Sequence, residues 1–268
     1  MATTTAAAKE RASAAAEELT ARTGADSFDA AVVLGSGWGV LADRLGTADT
    51  EVDAGELPGF TAPSTPEHSS QVRSVWVGSK RVALFGGRVH LFETRDPLRA
   101  VHAVRTAIAA GARTVVLTGS AGSLRTDFAV GQPILVRDHV NLTGASPLVG
   151  PDFVDLTRAY SARLRGLARE VDPSLAEGVY AEIAGPQLAT PAELAMIRAA
   201  GADLVGHSLA LEAIAAVEMG AEVLAVSAVS NDAVASVVEP FDREQATEAA
   251  RHAADRTAPL LHEVLMRA

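Results

Sequence analysis

Arg88 and His90 stand two positions apart in "GGRVHLFE" (86–93). On an extended strand, residues i and i+2 project to one face, so a guanidinium and an imidazole would point the same way. Two such donors suit a phosphate or a carboxylate. The same pair also suits a surface ion pair with Glu93 or Asp96. Five further stretches carry related chemistry. "LGSGWG" (34–39) sets Ser36 between two glycines, so that backbone N–H groups and a hydroxyl could face an anion or simply make a tight turn. It is not a P-loop, because no Gly-Lys-Ser/Thr follows. "TPEHSS" (65–70) places His68 in a polar loop, where it is either solvated or turned to a ligand. The small residues around Ser120 in "TGSAGS" (118–123) permit close approach of a ligand or of a packed helix. "VGHSLALE" (205–212) sets His207 and Ser208 ahead of a helix, with Ser208 either its N-cap or a ligand hydroxyl. "SNDA" (230–233) offers Asn231, whose amide is both donor and acceptor, as a heterocycle edge requires. Asn231-Asp232 is also a common turn.

The elements that must hold these groups are legible as alternating apolar runs and helical patterns. Strands are expected at 30–37, 113–123, 132–140, 178–186 and 220–231, and a hairpin at 71–78 and 80–87 with its turn near Gly78-Ser79. Helices are expected over 1–25, from Asp96-Pro97 to about Gly111, over 156–171, from the "TPAE" capping box (190–193) to about Gly201, and from Asp242 to the C-terminus. Residues 138–156 lack a pattern and read as a long, functional loop. With no linker and no repeat, residues 1–268 form one α/β domain. The polar clusters fall at predicted strand ends, where such folds line a ligand crevice.

Bulk composition narrows the function classes. A net charge of −10 argues against nucleic acid, whose phosphates need a basic surface, but leaves room for a small anionic substrate at a locally basic site. The absence of cysteine removes disulfides, thiolate metal sites and cysteine nucleophiles. No metal-ligand spacing stands out. No apolar run has the length of a membrane span, and the alanine-rich start lacks the pattern of a signal peptide. A cytoplasmic enzyme is the expectation.

Taken in order, "LGSGWG", "LPGF", "TPEH", "GGRVHLFE", "TGSAGSL", "RDHVNLTG", "AGPQLATPAE", "GADLVGHS" and "VSAVSND" resemble the trimeric class of purine nucleoside phosphorylases, from about residue 30 to residue 265. The resemblance implies a mixed, partly barrel-like β-sheet flanked by helices. It also implies a pentosyltransferase of nucleoside salvage. Such an enzyme cleaves purine ribo- or deoxyribonucleosides with inorganic phosphate to free base and pentose 1-phosphate, without a cofactor, as a homotrimer. On the matching positions, Ser36, Arg88, His90, Ser120 and Ser208 would hold phosphate. His68 would lie between phosphate and ribose, and Asn231 would face the purine. Tyr180 and His207 would border the sugar, and Phe153 would reach a neighbouring subunit's sugar site.

Four departures from the family pattern stand out. Leu188 and Ala189 replace a phenylalanine and the glutamate that grips the purine N–H; Asp232 is the candidate substitute carboxylate. His207 stands for a methionine, and Phe92 for a tyrosine near the sugar. Where the family has a histidine near the sugar's 5′ end, this chain has Asp242 and Arg243. Either Arg243 meets a 5′-phosphate or 5′-carboxylate, or Asp242 caps a helix whose exposed first residue is Arg243. Two alternatives to the main reading follow: a paralogue acting on a modified or 5′-anionic nucleoside, and a catalytically weak nucleoside-binding homologue.

Overall fold

A computed structural model describes residues 4–65, 68–234 and 241–268. Pro66 and Glu67 of the "TPEH" motif, and the first three residues of the expected N-terminal helix, lie outside the described residues. That helix is α1 (Thr5–Thr23). Thr4 caps it by accepting the Ala7 N–H, and Gly24 ends it at φ 63°, a conformation that favours glycine. Its buried Ala8, Ala12, Ala15 and Leu19 recur at helical spacing and face the core.

Among the described residues, nine strands form one sheet. They are β1 (Ala30–Val33), β2 (Thr47–Asp53), β3 (Gln71–Val77), β4 (Lys80–Phe85), β5 (Thr114–Ser123), β6 (Pro133–Leu142), β7 (Ala176–Ile183), β8 (Leu204–Gly206) and β9 (Glu222–Asp232). Their order is β2-β3-β4-β1-β5-β8-β7-β6-β9, and β9 also pairs with β5. That last pairing closes β5, β8, β7, β6 and β9 into a small barrel, from which β1, β4, β3 and β2 extend. β1 runs parallel to both β4 and β5, and β5 parallel to β9. These central strands are covered on both faces, so their sequences are nearly continuous apolar runs rather than alternating ones.

The remaining helices are α2 (Leu91–Thr94), α3 (Pro97–Ala100), α4 (His102–Ala109), α5 (Ala162–Val171), α6 (Pro191–Ala199), α7 (Ala210–Glu218) and α8 (Arg243–Arg267). α1, α4 and α7 pack on one face of the sheet, burying Leu19, Val104 and Ala213 in one core. α5, α8 and a short helical turn (Trp38–Asp43) pack on the other, burying Leu164, Leu261 and Trp38. No described helix is long and apolar enough to cross a membrane.

Several expectations need correction. β4 stops at Phe85, so Arg88 and His90 are not on a strand. A Cβ at Gly87 would lie 2.5 Å from the His68 Cβ, and the chain turns there instead. The helix expected over 96–111 is broken at Val101 (ψ 5°) into α3 and α4. The helix expected from 156 begins at Ala162, capped by Ser161, whose hydroxyl accepts the Leu164 N–H at 3.2 Å. The expected loop starts later than residue 138, because β6 continues to Leu142 by pairing with β7. Ser208 is not the cap of α7. Leu209 is, at φ 82°, with its N–H taken by Glu212.

Candidate active site

The loop after β1 is bolted to β5. Thr118 Oγ1 accepts the Gly35 N–H at 3.0 Å and donates to Val33 O at 3.2 Å, while Trp38 Nε1 donates to Gly119 O at 2.8 Å. Only glycine fits at position 35, where a Cβ would lie 2.8 Å from Thr118 O and 3.0 Å from Arg88 Nη1. Ser36 is thereby set on the wall of a cleft lined also by Arg88, His90, Ser120, Ser208 and Asn231.

Arg88 is 4% exposed. Its Nε lies 3.1 Å from both oxygens of Glu212, and Nη1 donates to Thr118 O at 2.8 Å. Its Nη2 is buried with no hydrogen-bond partner among the described residues. An unmet buried donor costs about 1–3 kcal/mol, which an anion in the cleft would recover. Of the alternative pairing of Arg88 and His90 with Glu93 or Asp96, the His90–Glu93 contact forms, at 3.0 Å, while Arg88 turns inward to Glu212.

His68 bridges this region. Its Nε2 lies 3.0 Å from Ser36 Oγ, and its Nδ1 lies against the Arg88 backbone, 3.0 Å from the N–H nitrogen and 2.9 Å from the carbonyl. Burial, reinforced by the charges of His90 and Arg88, pushes its pKa down to about 3, so the ring is neutral at pH 7. With Nδ1 accepting the Arg88 N–H, Nε2–H donates to Ser36, whose own hydrogen is then free for the cleft; with Nδ1–H donating to the Arg88 carbonyl, Nε2 accepts from Ser36 instead.

His90 caps α2. Glu93 Oε1 accepts from its backbone N–H at 2.7 Å and meets its Nδ1 at 3.0 Å. Burial raises the Glu93 pKa, but hydrogen bonds from His90 and Ser64 outweigh it and bring the carboxyl to about 2. An ionised Glu93 keeps a hydrogen on Nδ1 and leaves Nε2 as the ring's other polar atom. The His90 ring lies 5.0 Å from His68 and stacks on Phe92 at 4.7 Å, and His207 meets Phe92 edge-on at 6.0 Å. Burial lowers the His207 pKa, and its Nδ1 lies 3.3 Å from Ile183 O. This aromatic row leads from the anion end of the cleft along its wall.

At the other end, Ser230 Oγ donates to Asn231 Oδ1 at 2.8 Å. With its carbonyl occupied, the Asn231 amide nitrogen is the group left to donate. Leu188, Phe241 and Arg243 complete this part of the cleft. Arg243 is the first residue of α8, and Asp242 caps that helix through the Glu244 and Gln245 N–H groups. Asp242 caps the helix and Arg243 is its exposed first residue, as the capping alternative expects, and Arg243 also lines the cleft.

Other residues singled out in the sequence sit elsewhere. Tyr180 is fully buried behind Gly206, with its Oη 3.4 Å from Ser208 N. Ala189 packs against the cluster containing Leu124 and Ile197, and Asp232 Oδ1 accepts the Val234 N–H at 2.9 Å. Phe153 is 103% exposed on the 143–161 loop. Sequence reasoning missed Glu212 and Thr118. The signal for Glu212 is a carboxylate within the otherwise apolar "ALEAIAAV" (210–217). Among the described residues, no group of three or more His, Asp or Glu is disposed to hold a metal ion.

Residues 29–266 match the sequence model of the Phosphorylase superfamily. The chain is 50% identical to the purine nucleoside phosphorylase of Mycobacterium tuberculosis over 96% of each chain. It is 48% identical to that of a Cellulomonas species, over 95% of this chain and 92% of the relative. The fold matches a crystal structure of isoform 2 of the Schistosoma mansoni purine nucleoside phosphorylase, in complex with cytosine and ribose-1-phosphate. The TM-score is 0.87, with 27% identity and 96% of each chain covered. A cradle of Ser36, His68 and Arg88 at one end of the cleft and the Asn231 amide at the other agree with this kinship, and the chain belongs to the purine nucleoside phosphorylase family of the phosphorylase superfamily.

Proposed function

We propose that the chain cleaves the N-glycosidic bond of purine nucleosides with inorganic phosphate, releasing free base and pentose 1-phosphate. The observation that carries the reading is the buried Arg88 Nη2 without a partner among the described residues, on a cleft shared with Asn231. Phosphate would complete Arg88, take hydrogen bonds from Ser36, Ser208 and the backbone at Ser120, and meet His90 at Nε2. Glycosidic cleavage passes through an oxocarbenium-like sugar, and a phosphate oxygen beneath the anomeric carbon stabilises the developing positive charge before bonding to it. In the tautomer with its hydrogen on Nε2, a neutral His68 donates to Ser36 and leaves that hydroxyl free to donate to the anion, without cancelling the anion's charge. At the far end, the Asn231 amide donates to the purine as it accumulates negative charge. Phe92 and His207 would border the ribose, and Leu188 would lie against the base. The reaction takes phosphate as co-substrate and asks for no cofactor.

A nucleoside panel assayed with and without phosphate tests this directly. Base should appear only with phosphate, matched by pentose 1-phosphate. Phosphate-independent release would make the chain a hydrolase, and binding without release would make it a nucleoside-binding homologue.

Arg243 on the cleft wall supports a second reading, in which the preferred nucleoside carries an anion at its 5′ position. A 5′-phosphorylated or 5′-carboxylated nucleoside should then turn over with a lower KM than inosine; no gain would remove the idea. The proposal extends to a homotrimer, for which the exposed Phe153 offers an apolar contact, and to a cytoplasmic location.

A further inference from the structure

Glu182 is a deeply buried carboxylate, 2% exposed, with no part in the chemistry above. It lies on β7 in register with Gly206 of β8. Its Oε2 accepts the N–H groups of Ala210 at 2.7 Å and Leu211 at 3.1 Å, the first two residues of α7. The chain leaves β8 at Gly206, places His207 and Ser208 on the cleft wall, passes through Leu209 at φ 82° and enters α7. A leucine at positive φ costs on the order of 1–3 kcal/mol, so surrounding contacts must hold it. Two carboxylates do. Glu212 Oε2 lies 3.3 Å from the Leu209 N–H nitrogen while both its oxygens face Arg88 Nε, and Glu182 takes the next two N–H groups.

We propose that Glu182 is a positioning residue for the anion half of the cleft: from inside the barrel it holds the first turn of α7, and through it the Ser208–Leu209 turn that shares the cleft with Arg88. It touches no substrate. Its charge acts as well as its shape. The groups facing it are Glu212 from α7, Arg88 from the turn after β4, Tyr180 on its own strand and Tyr160 ahead of α5. Burial pushes the Glu182 carboxyl up to about 7; the charge of Glu212 adds to the rise, and the α7 N–H groups and Arg88 work against it. A second negative charge therefore appears behind Arg88 as the pH climbs through neutrality, and it opposes an incoming anion.

Sulfate is fully ionised across this range, so titrating it calorimetrically separates the protein's protonation from that of phosphate. Glu182→Leu should weaken sulfate binding about tenfold, close to 1.4 kcal/mol, and raise the phosphate KM in parallel, with the nucleoside KM moving by less than about twofold. Glu182→Gln keeps an oxygen acceptor and loses the charge. It should bind sulfate within about threefold of the native protein at about pH 6, and equally well at about pH 8, where the native protein weakens. Unchanged sulfate affinity in Glu182→Leu would overturn the proposal, as would an equal rise in the sulfate and nucleoside constants. If the leucine variant fails to fold, the pH response of Glu182→Gln decides alone, and a response like that of the native protein refutes it. The kinetic arm rests on the phosphorolysis reading and the sulfate arm does not. Sulfate results as expected from a protein that cleaves no nucleoside would remove that reading and leave this one standing.

Discussion

Arg88 binds at both of its ends, and its variants must be chosen accordingly. Glu212 neutralises it from within the protein, and the cleft anion would complete it from outside. Arg88→Ala strands Glu212 in the interior, and breaking a buried pair in this way costs about 3–5 kcal/mol, so that variant reports on folding. Arg88→Lys keeps the charge and loses the planar fork. It should fold and raise the phosphate KM about tenfold or more, with little change in the nucleoside KM. An unchanged phosphate KM in Arg88→Lys would place the anion elsewhere. His68 makes a separate prediction about pH. Its folded pKa is near 3 and its ordinary value is 6.5. Between those values the unfolded chain takes up a proton that the folded chain refuses, so stability rises with pH across the window. The contribution is complete above about pH 6.5 and is lost as the pH falls to about 3, at no more than about 1.4 kcal/mol per pH unit. Thermal unfolding followed from neutral pH to about pH 4 should show a falling Tm, and His68→Asn should flatten the fall. An identical slope in that variant would assign the effect to other groups.

At the scale of elements, the site depends on how closely β7 and β8 approach. A Cβ on Gly206 would sit 2.1 Å from Tyr180 Oη, so Gly206→Ala must push the tyrosine back or split the two strands. Overpacking of this kind costs about 1–3 kcal/mol. Tyr180→Phe added to Gly206→Ala should restore part of the lost Tm, and strict additivity of the two changes would show that the hydroxyl is not the obstacle. The same elements show what the sequence reveals and what it hides. β1, β5 and β9 were legible because strands covered on both faces need unbroken apolar runs. β2 was not, because it is a sheet-edge strand in which only Val52 is buried, and β8 has three residues, too few to carry a period. Arg88 and His90 read as anion-binding types from their chemistry, but they do not share a strand face, because β4 ends at Phe85 ahead of Gly86 and Gly87. The partner of Arg88 lies 124 positions away, and only the packing of α7 against the sheet brings it there. Tyr180 was placed by motif; its burial follows from facing the barrel interior, which no local pattern announces.

At the scale of the whole molecule, an acidic protein keeps its cationic side chains where an anion must dock. The net charge is −10, yet Arg88 and Arg243 gather on one cleft. The site's field is therefore local, a product of the fold rather than of composition. Phe153 shows the opposite relation between fold and surface. A phenylalanine at 103% exposure leaves a large apolar ring in water, which a single chain gains nothing by doing. Inserted into a neighbour's cleft, it would cover the sugar and exclude water. In the proposed trimer, Phe153→Ala should then raise the nucleoside KM about tenfold while leaving the phosphate KM and the mass of the assembly unchanged. Kinetics of that variant alone would not say whose site the ring serves. Mixed assemblies would: subunits carrying Phe153→Ala retain an intact site but lack the ring, and subunits carrying Asn231→Ala retain the ring but lack the base contact. When the two are refolded together, sites from the first kind, completed by rings from the second, should recover a near-native nucleoside KM in a fraction of the active sites. Recovery requires the ring to cross between subunits. Its absence, in assemblies shown by mass to contain both kinds, would assign Phe153 to its own chain or to no site at all.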